Sequence, residues 1–237
     1  MKKGIIVMAA VWLVIALCGQ SRAGEVWRLA SLEWPPYAGR NLAGQGSAVS
    51  TLRALLEKQG IGLEVEFFPW ARAKEFATTS AFDGYYPAWP EEVEDGFVAS
   101  DPVASSQLAV MTFTDSGVLW KDLETLFAEQ SVGLVRTYVY PQPVPVLAEQ
   151  WRRNVLLLPD EESLIKKLSR RHMTVAITDP QVMLYLAGIL GIDNVRPLVE
   201  LERKPLVVAF RASQENLRRG KLLNELLNRA KSETSTP

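Results

Sequence analysis

Asp179 closes the run Val175-Ala176-Ile177-Thr178 and is followed directly by Pro180. A carboxylate at the end of an apolar strand has two uses: it can accept hydrogen bonds from a ligand ammonium, or cap a helix that opens at the proline. Aromatic side chains gather at two other strand ends. Trp34 and Tyr37 flank Pro35-Pro36, where an aromatic face can cover a cation or an apolar side chain, or simply close an edge. Tyr85, Tyr86 and Trp89 form the second group, and Trp70 stands at a helix start, where core packing is the expected role. Glu33 beside Trp34 and the pair Arg136 and Tyr138 complete the expected ligand-contact set: Glu33, Trp34, Tyr37, Tyr86, Trp89, Arg136, Tyr138 and Asp179. Arg72 is expected to anchor loop carbonyls or a carboxylate such as Asp83, and His172, behind Arg170 and Arg171, to be a solvated helix-end residue.

These residues need a scaffold, and the alternation of strand-like and helix-like segments makes it α/β. A strand over 25–32 stops at the two prolines. A helix bounded by Gly46 and Gly60 then places Val49, Leu52, Leu55 and Leu56 on one face. Leu63 to Phe68 reads as a strand, Pro69 as a helix start, and Phe82 to Tyr86 as a short strand. Gln107 to Phe113 is a buried strand that leaves the first lobe. The second lobe alternates in the same way: strand 132–135, helix 144–151, strand 154–158, a helix capped by Asp160 with Glu161 and Glu162 in its first turn, strand 173–178 and a helix through Leu190. Leu206 to Phe210 is a returning strand, and an amphipathic helix through Leu217, Leu223 and Leu227 ends the chain.

Composition removes whole classes. The chain has 237 residues, 48% hydrophobic and 22% charged, with net charge -1, so it carries none of the basic excess that a phosphate backbone requires. Lys2 and Lys3, the apolar run Ile5 to Leu17 and Ser21-Arg22-Ala23 form an export signal expected to be cleaved near Ala23. Cleavage removes Cys18, the only cysteine; with His172 the only histidine, thiol nucleophiles, disulfides and His-rich metal sites fall away. No cofactor, no metal and no enzymatic activity are expected.

The order of these pieces resembles the extracellular solute-binding proteins of family 3. The resemblance rests on Trp34-Pro35-Pro36-Tyr37, on Pro69-Trp70-Ala71-Arg72-Ala73 continuing to Phe82-Asp83-Gly84, on Phe97-Val98-Ala99-Ser100-Asp101-Pro102, and on Val175 to Asp179. It implies a two-lobed periplasmic-binding-protein fold of type II, with two crossing strands and a ligand cleft between the lobes. The implied organisation is signal peptide 1–23, lobe 1 over 24–110, lobe 2 over 111–204, and a return strand and C-terminal helix of lobe 1 over 205–237. It also implies a monomeric periplasmic receptor that captures a small polar solute, an amino acid or related amine, for an ABC-type permease; the alternative is a sensing module acting on a membrane sensor. Asp179 takes a ligand-facing role in this comparison. Amino-acid binders of the family carry a carboxylate-gripping arginine before the Phe-Ser-x-Pro segment. This chain has Trp89-Pro90-Glu91-Glu92-Val93-Glu94-Asp95 there, which points to a ligand bearing a positive group unless Arg136 replaces that arginine from the opposite lobe.

Overall fold

The computed structural model describes residues 24–234, so the export-signal expectation lies outside the described residues. Nine strands of the described residues form one sheet: eight follow the order β2-β1-β3-β9-β5-β8-β6-β7, numbered along the chain, and the ninth, β4, pairs β9 off that path. In the first lobe β1 (Val26–Ser31) lies parallel to β2 (Gly62–Phe67) and to β3 (Gly84–Ala88). In the second lobe β6 (Val132–Val135) lies parallel to β7 (Val155–Leu158) and to β8 (Val175–Thr178). Helices complete the βαβ units: α1 (Ser47–Glu57) and α2 (Trp70–Ala77) in the first lobe, then α3 (Leu123–Glu129), α4 (Val144–Gln150), α5 (Glu161–Ser169) and α6 (Pro180–Leu190).

Two long antiparallel strands tie the halves together. β5 (Ala104–Phe113) pairs with β9 (Val195–Arg211) along its whole length. β5 also pairs with β8, while the far end of β9 pairs with β3 and with β4 (Phe97–Ala99). The final helix α7 (Gln214–Thr234) packs against β9, β4 and α1 and buries Leu223, Leu226 and Leu227.

Three readings of the sequence need correction. The return strand starts at Val195, eleven residues before the apolar run Leu206 to Phe210, because within Arg196 to Arg203 the half-buried apolar residues are Leu198, Val199 and Leu201, and Pro197, Glu200, Glu202 and Arg203 break up any apolar run. The helix α3 has no counterpart in the sequence reading, although Asp122 caps it by accepting the Thr125 N–H at 2.7 Å. Arg72 is exposed and does not hold Asp83; Arg219 from α7 and the Arg28 N–H at 2.8 Å do so instead. Among the described residues no helix is long and apolar enough to cross a membrane, and no group of three or more His, Cys, Asp or Glu side chains is placed to hold a metal ion.

Candidate functional site

All six parallel strands end at the junction of the lobes, and the loops at their carboxyl ends build one cleft, the position where open α/β sheets hold ligands. Its most elaborate part is the turn after β1. Pro35-Pro36 cannot continue the strand, so the chain reverses, with the Trp34 N–H bonded to the Ala38 carbonyl at 2.8 Å and the Tyr37 N–H to the Trp34 carbonyl at 3.0 Å. The amino end of α1 clamps this turn: the Ser47 N–H reaches the Pro36 carbonyl at 2.9 Å and the Ala48 N–H the Tyr37 carbonyl at 3.0 Å. Gly46 makes the clamp possible. Its φ is 105°, and a Cβ there would fall 2.4 Å from the Tyr37 oxygen. The turn holds the Trp34 and Tyr37 rings 4.6 Å apart at 31°.

Lobe 2 answers with Tyr138, which follows β6. Its ring lies edge-on to Trp89 at 4.8 Å and to Trp34 at 6.5 Å. The Trp34 indole N–H donates to the Tyr138 hydroxyl at 2.7 Å and to Glu161 Oε1 at 2.8 Å, and the Tyr138 hydroxyl donates to the same Glu161 oxygen. A second bond between lobes runs from the Tyr37 hydroxyl to Asp179 Oδ2 at 3.1 Å.

Two connected spaces lie around these contacts. The outer one, open at its mouth, has a volume of about 700 Å³ and runs between Phe67 to Ala71 with Glu33 and Arg40 on one side, and Thr137, Tyr138 and Pro159 to Glu161 on the other. Leu32, Trp70 and Tyr138 are shared with a small deeper pocket of about 20 Å³, room for about one water, which Trp34, Trp89, Pro87, Glu92 and Leu206 complete. Four acids, Glu33, Glu92, Asp160 and Glu161, line these spaces, against one cation among the described residues, Arg40. Burial pushes the Glu92, Glu161 and Asp179 carboxyls above the usual carboxylate range. Burial, and then the neighbouring Glu161, hold Tyr138 well above the usual phenol range; burial, and then Asp179, do the same to Tyr37.

The structure brings Glu33, Trp34, Trp89 and Tyr138 to the cleft walls, with Tyr37 and Asp179 directly behind them. Asp179 is fully buried and engaged: Oδ1 accepts the Gln181 and Val182 N–H groups at the start of α6, and Oδ2 accepts the Gln107 N–H at 3.0 Å beside Tyr37. Tyr86 and Arg136 are not brought to the cleft. Tyr86 is buried in the lobe 1 core, its hydroxyl on the Ala48 carbonyl at 3.1 Å. Arg136 continues the β6–β7 ladder through its N–H to the Leu158 carbonyl at 2.7 Å, which leaves its exposed guanidinium 3.4 Å from the Leu157 carbonyl.

Of the lining residues outside the expected set, three make polar contacts with the cleft tryptophans. Trp70 lines both spaces and donates its indole N–H to Glu92 Oε1 at 3.1 Å; the signal for it was its place directly after a strand end and a proline. Glu92 also accepts the Trp89 N–H at 3.0 Å. Glu161, whose acidic type at a helix start is explained by the dipole alone, is the third.

No family model matches the chain, and no curated protein matches it. Solved structures do. A histidine kinase sensor domain with similarity to periplasmic binding proteins superposes with a TM-score of 0.71 at 18% identity, covering 90% of this chain and 92% of that one. An ancestral arginine-binding protein bound to arginine gives 0.71 at 18% identity, covering 89% and 94%. An ancestral amino acid-binding protein described as a precursor of cyclohexadienyl dehydratase gives 0.66 at 17% identity, covering 89% of this chain and 91% of that one.

 The shared feature of all three is the two-lobed periplasmic-binding-protein fold, and that is the fold of this chain.

Proposed function

We propose that the protein is a periplasmic receptor that captures a small polar solute bearing a positive group, an amino acid or a related amine, between its lobes. The observation that carries this reading is the make-up of the cleft: tryptophan and tyrosine faces from both lobes, four acidic side chains and a single cation in the lining. Aromatic faces and carboxylates both favour a cation, and a partly dry cleft strengthens each attraction. The arginine-binding neighbour adds support from its own ligand. The chain acts as an exported monomer that delivers its solute to an ABC-type permease, and binds without turnover.

A second reading has equal structural support, since the histidine kinase sensor domain superposes as well as the arginine-binding protein does. In that reading the loaded module docks on a membrane sensor. Cross-linking in native membranes separates the two by the partner recovered, a permease or a sensor.

The binding reading is tested by a thermal-shift screen of amino acids, polyamines and organic acids. A cationic solute at 100 times its dissociation constant is expected to stabilise the fold by about 2.7 kcal/mol. Stabilisation by organic acids alone would overturn it.

A further inference from the structure

We infer that Glu161 is the acceptor for the solute's positive group, and that this group is an N–H donor, a protonated amine or guanidinium, which takes the place of the Trp34 indole N–H. The inference rests on the amine-solute reading above and names the residue and the ligand class within it.

The acids around the cleft differ in how fully the chain already uses them. Glu92 has both oxygens taken, by Trp70 Nε1 and the Trp89 N–H, and Asp179 likewise has both taken. Both oxygens of Glu33 face the Arg40 N–H, at 3.3 and 3.2 Å, with the Arg40 guanidinium 4.0 Å away. Asp160 caps α5 through the Ser163 N–H at 2.7 Å and is exposed to water at the rim. Glu161 stands apart. Its two side-chain donors, Trp34 Nε1 and the Tyr138 hydroxyl, converge on Oε1 and neither reaches Oε2, and its remaining hydrogen bond comes from its own backbone N–H at the start of the helix.

Position and chemistry agree. Glu161 opens α5 in lobe 2 and its indole donor comes from lobe 1, so the bond spans the cleft at the point where a solute must be held by both halves. The single Trp34 N–H serves two acceptors, the Tyr138 hydroxyl at 2.7 Å and Glu161 at 2.8 Å, so a solute N–H can take its place on Glu161 while the indole keeps Tyr138. Burial raises the Glu161 carboxyl above its ordinary range, and a cation alongside would offset that cost of ionisation. Exchange needs a hydrogen on nitrogen, which a quaternary ammonium lacks. The Trp34, Trp89 and Tyr138 rings are then left to cover the stem of the solute.

The test is calorimetric titration of the full-length mature chain and of Glu161→Gln with agmatine, cadaverine and choline. Glutamine keeps an Oε1 acceptor for both Trp34 and Tyr138, so the fold is expected to melt as the parent does. The parent is expected to bind agmatine or cadaverine and to bind choline at least about tenfold more weakly, and Glu161→Gln to lose about tenfold or more for the protonated amine. Trp34→Phe, which removes the competing N–H and keeps an aromatic ring, is expected to retain or improve amine binding and covers the case in which Glu161→Gln folds poorly. Equal affinity of parent and Glu161→Gln for a bound amine, or abolished amine binding in a folded Trp34→Phe, overturns the assignment of Glu161 and leaves the cationic reading in place. If neither agmatine nor cadaverine binds at ~10 mM, the cationic reading fails and the assignment with it.

Discussion

The Tyr37 hydroxyl lies 3.1 Å from Asp179 Oδ2, joining the aromatic turn of the first lobe to the end of β8 in the second. Asp179 thereby serves two structures at once, since its other oxygen caps α6 through two backbone N–H groups.

Asp179→Asn separates these duties. The asparagine oxygen can keep the cap, but its amide nitrogen would then face the Gln107 N–H, donor against donor. A loss of about 1 to 3 kcal/mol in urea unfolding is expected. An unchanged unfolding midpoint would show that the Gln107 contact carries no weight.

Lys204 on β9 is fully buried, with Nζ 2.7 Å from Glu91 Oε1 and 5.2 Å from the Trp89 ring centre. Glu202 Oε1, 3.8 Å from Nζ, is the other carboxylate beside it, so loss of Glu91 leaves the buried ammonium with a longer contact alone, whereas the partly exposed Glu91 can turn to water when Lys204 is lost. Glu91→Ala is expected to cost about 2 kcal/mol or more, and Lys204→Met, which replaces the cation by an apolar side chain of similar length, to cost less. The order of the two unfolding midpoints is the check; Lys204→Met falling below Glu91→Ala would contradict it.

Glu92 gives the pH dependence a sign. Burial raises its carboxyl in the folded protein, outweighing the hydrogen bonds from Trp89 and Trp70. Its contribution to stability is therefore fully present below the unfolded carboxyl value of about 4.3 and is lost as pH rises through the higher folded value. Unfolding free energy measured across that interval should fall more steeply for the parent than for Glu92→Gln. Parallel curves would show that Glu92 titrates as an ordinary surface carboxyl.

Arg136 lies away from the cleft lining, on the Leu157 carbonyl. Arg136→Ala is expected to change solute affinity by less than about 0.5 kcal/mol, as for a surface change remote from the site. Titration of the same solute into both proteins is sufficient, and abolished binding would return Arg136 to the site.

The alternation of strands and helices was legible because both lobes are built from buried parallel strands, whose continuous apolar runs stand out, as in Val132–Val135 and Val175–Thr178. Trp34, Tyr37 and Trp89 were legible for a related reason: strand ends are where loops converge. Tyr86 shares that address but lies within β3, so its side chain goes to the core. The long first half of β9 was hidden because its apolar residues Leu198, Val199 and Leu201 are interrupted by exposed charges and its partner, β5, lies some ninety residues away in sequence. Glu161 was hidden differently. Its position at a helix start explains an acidic residue without any partner, and only the approach of the two lobes brings Trp34 to it.

The central claim is that the cleft recognises a positive group and not an α-carboxylate. Its most direct test is a calorimetric comparison of L-arginine with agmatine, the same molecule without the carboxylate, at identical ionic strength. The account predicts that agmatine binds at least as tightly as arginine. Arginine binding about tenfold or more tightly, with that advantage lost in Arg40→Ala or Arg136→Ala, would show that an arginine grips the carboxylate and would contradict the account.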